Sequence, residues 1–277
     1  MGKYNLPKQW LSHTQINMFL RCPKQYEFRY VNGIRIPPSG VLVLGGAGHS
    51  AIAYNYKQKI QTHQDLKINE VTEFFAEEFD RKVKEEEPIF DEDRPKDLKD
   101  NGIKVLKKYQ NDKAKIIQPK EVEKVFAIDF TNVNYFIKGF IDLITENEEL
   151  VDHKISKKSP SQSNIDDDLQ MTVYKLGYNY TYNKDPIELR YDYLITSKNP
   201  KIKSYPTFRT NEDIDEYLVI VGQIVEYIKR GDFYKNTQSY NCSQKYCGYY
   251  EKCRPHKINK FYDFVKEVSD DKTRIKK

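Results

Sequence analysis

Three of the four cysteines in this chain, Cys242, Cys247 and Cys253, fall within a dozen residues, and the fourth, Cys22, lies near the opposite end. A thiolate-rich loop with a glycine for a tight turn, here Gly248, suits a soft metal ion or an iron–sulfur cluster. Four thiolates complete either a Zn²⁺ site or a 4Fe-4S cluster, and the residue types alone leave both open. Disulfides are disfavoured, because residues 1–6 carry no apolar signal core and a reducing compartment keeps thiols free. If Cys22 joins the other three, the ligands close a loop of about 220 residues and restrain the unfolded chain by about 4–5 kcal/mol.

A second group is built of hard donors. Asp142 lies near the end of an alternating stretch, Tyr135 to Ile144, and Asp152 and Lys154 lie two apart in the next, Leu150 to Ile155. Strand side chains alternate, so Asp152 and Lys154 share a face and the His153 side chain points the other way. Neighbouring carboxylates raise one another's pKa unless a divalent cation neutralises them, which suits Mg²⁺ or Mn²⁺. Such an ion polarises a phosphoryl oxygen and activates water, and a nearby ammonium orients that water or stabilises developing charge. Phosphodiester hydrolysis fits this set. Gln170 and Tyr174, four apart on a predicted helix entered through Asp166-Asp-Asp, share one helix face within reach of such a site.

These groups need a scaffold, and the chain of 277 residues is long enough to bury a substantial core. Residues 121–156 read as three strands of an antiparallel meander, broken at Thr131-Asn132 and at Asn147-Glu148-Glu149. Residues 50–118 read as helices with a break at Glu85-Glu-Glu-Pro88, Glu188–Thr196 as a fourth strand, and Asn211–Lys229 as an amphipathic helix stopped by Gly231. An aromatic fraction of 13% argues against disorder, and no apolar run approaches the roughly 20 residues that cross a bilayer. A net charge of +5 is compatible with a polyanionic partner, while the basic tail Lys257–Lys277 reads as a solvated end. Cytoplasmic location, without membrane association, is the expectation.

The order of motifs resembles the RecB-type branch of the PD-(D/E)XK nuclease superfamily. The resemblance runs through Ser12-His-Thr-Gln-Ile-Asn-Met-Phe-Leu-Arg-Cys22-Pro-Lys-Gln-Tyr26, Gly45-Gly-Ala-Gly-His49, Gly139-Phe-Ile-Asp142, Val151-Asp152-His-Lys154 and Gln170-x-x-x-Tyr174, from about residue 10 to 255. The cysteines resemble those of iron–sulfur members, the AddB-type helicase–nucleases and the nucleases of CRISPR adaptation, although four residues separate Cys242 from Cys247 where many members have two. The resemblance implies an α/β fold, a mixed sheet flanked by helices, with a helical N-terminal part (1–120), a catalytic sheet and helix (121–200) and a C-terminal helix and cluster loop (201–277) in one nuclease domain. It implies His49, Asp142 and Asp152 as side-chain ligands of Mg²⁺ or Mn²⁺ and the His153 carbonyl as a further ligand. Lys154 would be the water-orienting residue, and Gln170 and Tyr174 an accessory pair. Cys22, Cys242, Cys247 and Cys253 would hold a 4Fe-4S cluster, with Zn²⁺ as the alternative.

The implied activity is a DNA exonuclease working from free ends, with a preference for single strands, in recombination, repair or replication. The alternatives are a structure-dependent endonuclease or CRISPR-adaptation processing nuclease, and a non-catalytic DNA-end binding protein with a structural cluster. The chain contains no Gly-x-x-x-x-Gly-Lys-Ser/Thr phosphate loop, so a helicase or other recombination partner would be a separate chain.

Overall fold

The alternation read between residues 121 and 156 becomes three strands, the first starting two residues earlier, of a six-stranded mixed sheet in the computed structural model, which describes residues 9–90, 93–130 and 135–255. The break at Thr131-Asn132, the N-terminal hexapeptide and the tail Lys257–Lys277 lie outside the described residues. The strands are β1 (Trp10–Leu11), β2 (Pro119–Phe130), β3 (Tyr135–Thr145), β4 (Glu149–Ser156), β5 (Glu188–Ile195) and β6 (Lys201–Thr207). The helices are α1 (His13–Arg21), α2 (Pro23–Tyr26), α3 (Gly40–Thr62), α4 (Ile68–Glu86), α5 (Pro95–Asp112), α6 (Gln162–Asp166), α7 (Leu169–Tyr182), α8 (Asn211–Arg230) and α9 (Tyr250–Cys253). Among the described residues no helix is long and apolar enough to cross a membrane.

Strand β3 organises the sheet. One of its edges pairs antiparallel with β2 from Pro119↔Thr145 to Phe130↔Tyr135. The other edge bonds β4 only at Leu143↔Val151 and Ile144↔Leu150, and bonds β1, in parallel, at Trp10↔Phe136 and Leu11↔Ile137. Between those two short ladders β3 and β4 diverge, and the first residues past the divergence are Asp142 and Asp152. Glu123 of β2, level with Asp142, adopts a left-handed φ of 52°, a conformation that costs a non-glycine residue free energy and concentrates local strain beside the fork. Beyond the fork β4 pairs parallel with β5 over all eight residues, and β5 pairs antiparallel with β6.

The chain forms two compact units, residues 9–13 with 37–223 and residues 14–36 with 224–255. In the first, α3, α4 and α5 cover one face of the sheet, where Ala47, Ala51, Tyr56, Phe75, Phe79, Val105 and Leu106 meet Leu143, Val151, Ile155 and Leu194. Each fully buried large side chain there contributes about 1.5–3 kcal/mol. Helix α3 begins at Ser39, whose Oγ accepts the Leu42 amide at 3.3 Å, so it runs through Gly45-Gly46-Ala47-Gly48 and starts ten residues before the helical stretch expected from the sequence. Gly48 lets α3 and β4 pack closely: a Cβ there would stand 2.0 Å from Ile155 Cδ1 and displace that side chain. The opposite face of the outer hairpin is covered by α7, where the Phe126 ring fills the space left by Gly139 and Gly177.

In the second unit, Cys22 ends α1 in extended conformation (φ −166°) and Pro23 opens α2, a position where its missing amide hydrogen costs nothing. Phe28, Cys247 and Tyr249 form a small core with Ile34, Ile36, Tyr250 and Cys253 around it. Residues more than two hundred positions apart are tied by Asn236 Nδ2 donating to the Arg21 carbonyl at 3.0 Å and Tyr249 Oη to the Ile34 carbonyl at 2.9 Å.

Candidate active site and cysteine cluster

The fork between β3 and β4 gathers the predicted residues from four elements. Asp142 Oδ2 lies 3.0 Å from His49 Nδ1 on α3 and accepts the His153 backbone amide at 3.2 Å. Tyr174 Oη on α7 stands 3.0 Å from Asp142 Oδ1 and 3.0 Å from Asp152 Oδ1, so one phenol bridges both carboxylates. Gln170, one turn earlier, donates Nε2 to Asp152 Oδ1 at 2.6 Å and accepts Lys154 Nζ on Oε1 at 2.6 Å. Lys154 Nζ also pairs with Asp152 Oδ2 at 2.8 Å, without the alignment of a hydrogen bond, and lies 5.5 Å from the centre of the Tyr191 ring.

The His153 side chain lies on the other face, as alternation requires. Its Nε2 meets Tyr109 Oη at 2.6 Å, Tyr109 meets Tyr56 Oη at 2.8 Å, and burial pushes the imidazole pKa down to about 4. Strand β4 therefore presents Asp152 and Lys154 to α7 and anchors the intervening His153 in the layer of α3 and α5.

The two aspartates are electrostatically unequal. Burial raises Asp142, but the hydrogen bond and charge of His49 outweigh it and hold this carboxyl well below the usual range. Asp152 is fully buried, and desolvation together with the Asp142 charge outweighs Lys154 and holds its pKa at about 6. Burial lowers His49 and Lys154, yet the neighbouring carboxylates raise both overall. Asp152 Oδ2 is a buried oxygen without a hydrogen bond, and a single phenol hydrogen serves two acids. Two close carboxylates, one with an oxygen lacking a hydrogen bond, and an imidazole beside them are a donor set that fits Mg²⁺ or Mn²⁺. Among the described residues no group of three or more His, Cys, Asp or Glu is arranged to hold a metal ion as it stands.

Two positioning residues were invisible in the sequence. His13 at the start of α1 has Nε2 3.9 Å from Asp168 Oδ1, the carboxylate that caps α7 by accepting the Gln170 amide at 2.8 Å. Burial and the charge of Lys154 outweigh Asp168 and lower its pKa to about 4. The only sequence signal for it was its place in the Ser-His-Thr string before Cys22. Buried Arg209 clamps the entry to α7: Nη2 donates to the carbonyls of Ile165 (3.0 Å) and Asp168 (2.8 Å), Nε to Thr172 Oγ1 (3.1 Å), and Nη1 to Thr207 Oγ1 (2.7 Å) and the Phe208 carbonyl (2.6 Å). Arg209→Met leaves buried carbonyls without donors and is expected to lower stability by about 2–4 kcal/mol in urea unfolding. A variant as stable as the wild type would remove the clamp from this account.

All four cysteines line one cavity within the second unit. Gln25 Nε2 donates to Cys247 Sγ at 3.0 Å, with Gln25 held by Arg21 Nε at 3.0 Å, and Arg254 Nη1 points to Cys242 Sγ at 3.7 Å. Burial raises the Cys253 thiol, and the neighbouring Cys22, Cys247 and Cys242 raise it further against the opposing effect of Lys235. Thiols crowded in this way, with N–H donors aimed at two of them, are a donor set suited to a thiophilic metal centre.

With fold and site in view, the family follows: the model of the PD-(D/E)XK nuclease superfamily matches residues 10–254, and the chain belongs to that superfamily. Its members are metal-dependent nucleases. Among solved structures the chain is similar to a "putative exonuclease" from Eubacterium rectale, at 13% identity and a TM-score of 0.57, over 84% of this chain and 87% of that one. At that identity the likeness is one of fold. No curated protein matches the chain.

Proposed function

We propose that this chain is a divalent-metal-dependent DNA exonuclease that hydrolyses phosphodiester bonds from free ends and prefers single strands. The observation that carries the reading is the fork itself: Asp142 and Asp152, one residue past the last β3–β4 pair, share Tyr174 and face Lys154. In this reading His49, Asp142, Asp152 and the His153 carbonyl hold Mg²⁺ or Mn²⁺. A bound ion of this kind supplies charge for the phosphoryl oxygens and lowers the pKa of water.

The protein's own groups do the rest. Lys154, fixed by Gln170 and Asp152, orients the attacking water and stabilises charge on the phosphate. Water adds to phosphorus as the bond to the neighbouring sugar oxygen breaks. The attacking water loses a proton to solvent and the leaving oxygen gains one from solvent. Tyr174 keeps the two acids together, and Cys22, Cys242, Cys247 and Cys253 hold a 4Fe-4S cluster that secures the region around α2.

The test is digestion of end-labelled linear single strands, linear duplexes and closed single-stranded circles with Mg²⁺ or Mn²⁺. Release of short products from linear single strands, with circles intact, is expected. Cutting of circles would assign an endonuclease instead, and binding of ends without cleavage in either metal would assign a non-catalytic end-binding protein.

A further inference from the structure

The outer part of the β2–β3 hairpin leaves large aromatic side chains in solvent. Ile137 and Ile141, 0% and 1% exposed, lie on the alternate positions together with Gly139, where α7 and Phe126 cover the sheet. Phe136, Lys138 and Phe140 therefore point the other way, and Phe136 and Phe140 are 37% and 54% exposed, with Val125, the partner of Phe140, at 48%. Strand β1 adds Trp10, in register with Phe136, and Lys138 Nζ lies 5.9 Å from the Trp10 ring centre. At roughly 3.3 Å per residue Phe136 and Phe140 stand about 13 Å apart, and Phe140 is about 7 Å along the strand from Asp142.

We propose that Trp10, Phe136 and Phe140, with Lys138 between them, form a stacking track that leads an unpaired nucleic-acid strand to the fork. The proposal rests on the nuclease reading of that fork and supplies the basis for its single-strand preference. Aromatic faces alternating with an ammonium match a strand of bases and phosphates, and stacking tolerates any base. In a duplex both faces of an interior base are already covered by its neighbours, so only an unpaired strand offers faces to these rings. A protein occupant is disfavoured by continuity, since whatever lies on this face lies two residues from Asp142, on the substrate's own approach. The one carboxylate paired into the patch, Asp129 opposite Phe136, sits at the end remote from the fork.

The experiment is fluorescence anisotropy of a labelled oligothymidylate in metal-free buffer with Phe136→Ala, Phe140→Ala and the double variant, each with its melting midpoint measured. Exposed side chains are removed, so the fold is retained. Each single change is expected to weaken binding about 5- to 150-fold. Lys138→Met is expected to reduce the slope of log affinity against log salt by about 0.7. Hydrolysis of bis(p-nitrophenyl) phosphate, too small to reach the track, should keep its wild-type kcat/KM. Wild-type affinity in the double variant would overturn the proposal, as would loss of self-association with DNA binding unchanged. Weakened binding in a protein that cleaves nothing would leave the track standing and remove the nuclease reading.

Discussion

Asp152→Asn is expected to abolish Mg²⁺- or Mn²⁺-dependent digestion, lowering kcat/KM at least about 1,000-fold, or about 4 kcal/mol of transition-state stabilisation. The amide is nearly isosteric, and its oxygen still accepts from Gln170 Nε2, so the fork stays assembled. What it loses is the buried negative charge that, in the proposed function, faces the divalent cation. Two readouts separate this from misfolding. The melting midpoint of the metal-free variant should not fall, since Asp152 ionises there against burial and the Asp142 charge. Added Mg²⁺ should raise the wild-type midpoint and leave that of the variant unchanged. Undiminished digestion by Asp152→Asn would remove the catalytic assignment altogether.

Cys22→Ser is expected to give a protein without the absorbance near roughly 400 nm that four-iron chemistry confers, and with a midpoint roughly 10–20 °C lower. The magnitude comes from the loop that a centre joined to residue 22 closes, worth about 5 kcal/mol of unfolded-state entropy. The contacts around Tyr26 and Phe233 and the small core of Phe28, Cys247 and Tyr249 remain in the variant, so the loss measures the centre rather than the packing. A colourless wild type with stoichiometric zinc after anaerobic purification would replace iron with zinc and leave the stability loss in place. A Cys22→Ser variant as stable as the wild type would exclude Cys22 from any centre.

Alternation made β2, β3, β4 and β5 readable, and with them the shared face of Asp152 and Lys154, because strand geometry is local. The helical face of Gln170 and Tyr174 was readable for the same reason. Local patterns failed where partners are distant or composition misleads. Strand β1 is two residues long and bonds a strand more than a hundred residues away. Strand β6, Lys-Ile-Lys-Ser-Tyr-Pro-Thr, is an edge strand with no apolar face. The helical stretch expected from residue 50 begins at Gly40 instead, because the glycines at 45, 46 and 48 are poor helix formers by local propensity and only tertiary packing, such as Gly48 against Ile155, favours them there. His13 and Arg209 reach α7 through tertiary packing alone, which no spacing rule encodes.

The uneven bonding of β4 has a consequence for synthesis. Its ladder to the preceding strand consists of two register pairs, whereas its ladder to the strand that follows α7 consists of eight. A nascent polypeptide leaving the ribosome thus carries both aspartates long before it carries the backbone that steadies the second of them. The strand that bears the second aspartate is therefore held chiefly by backbone that leaves the ribosome after it, in the stretch ending at Ile195.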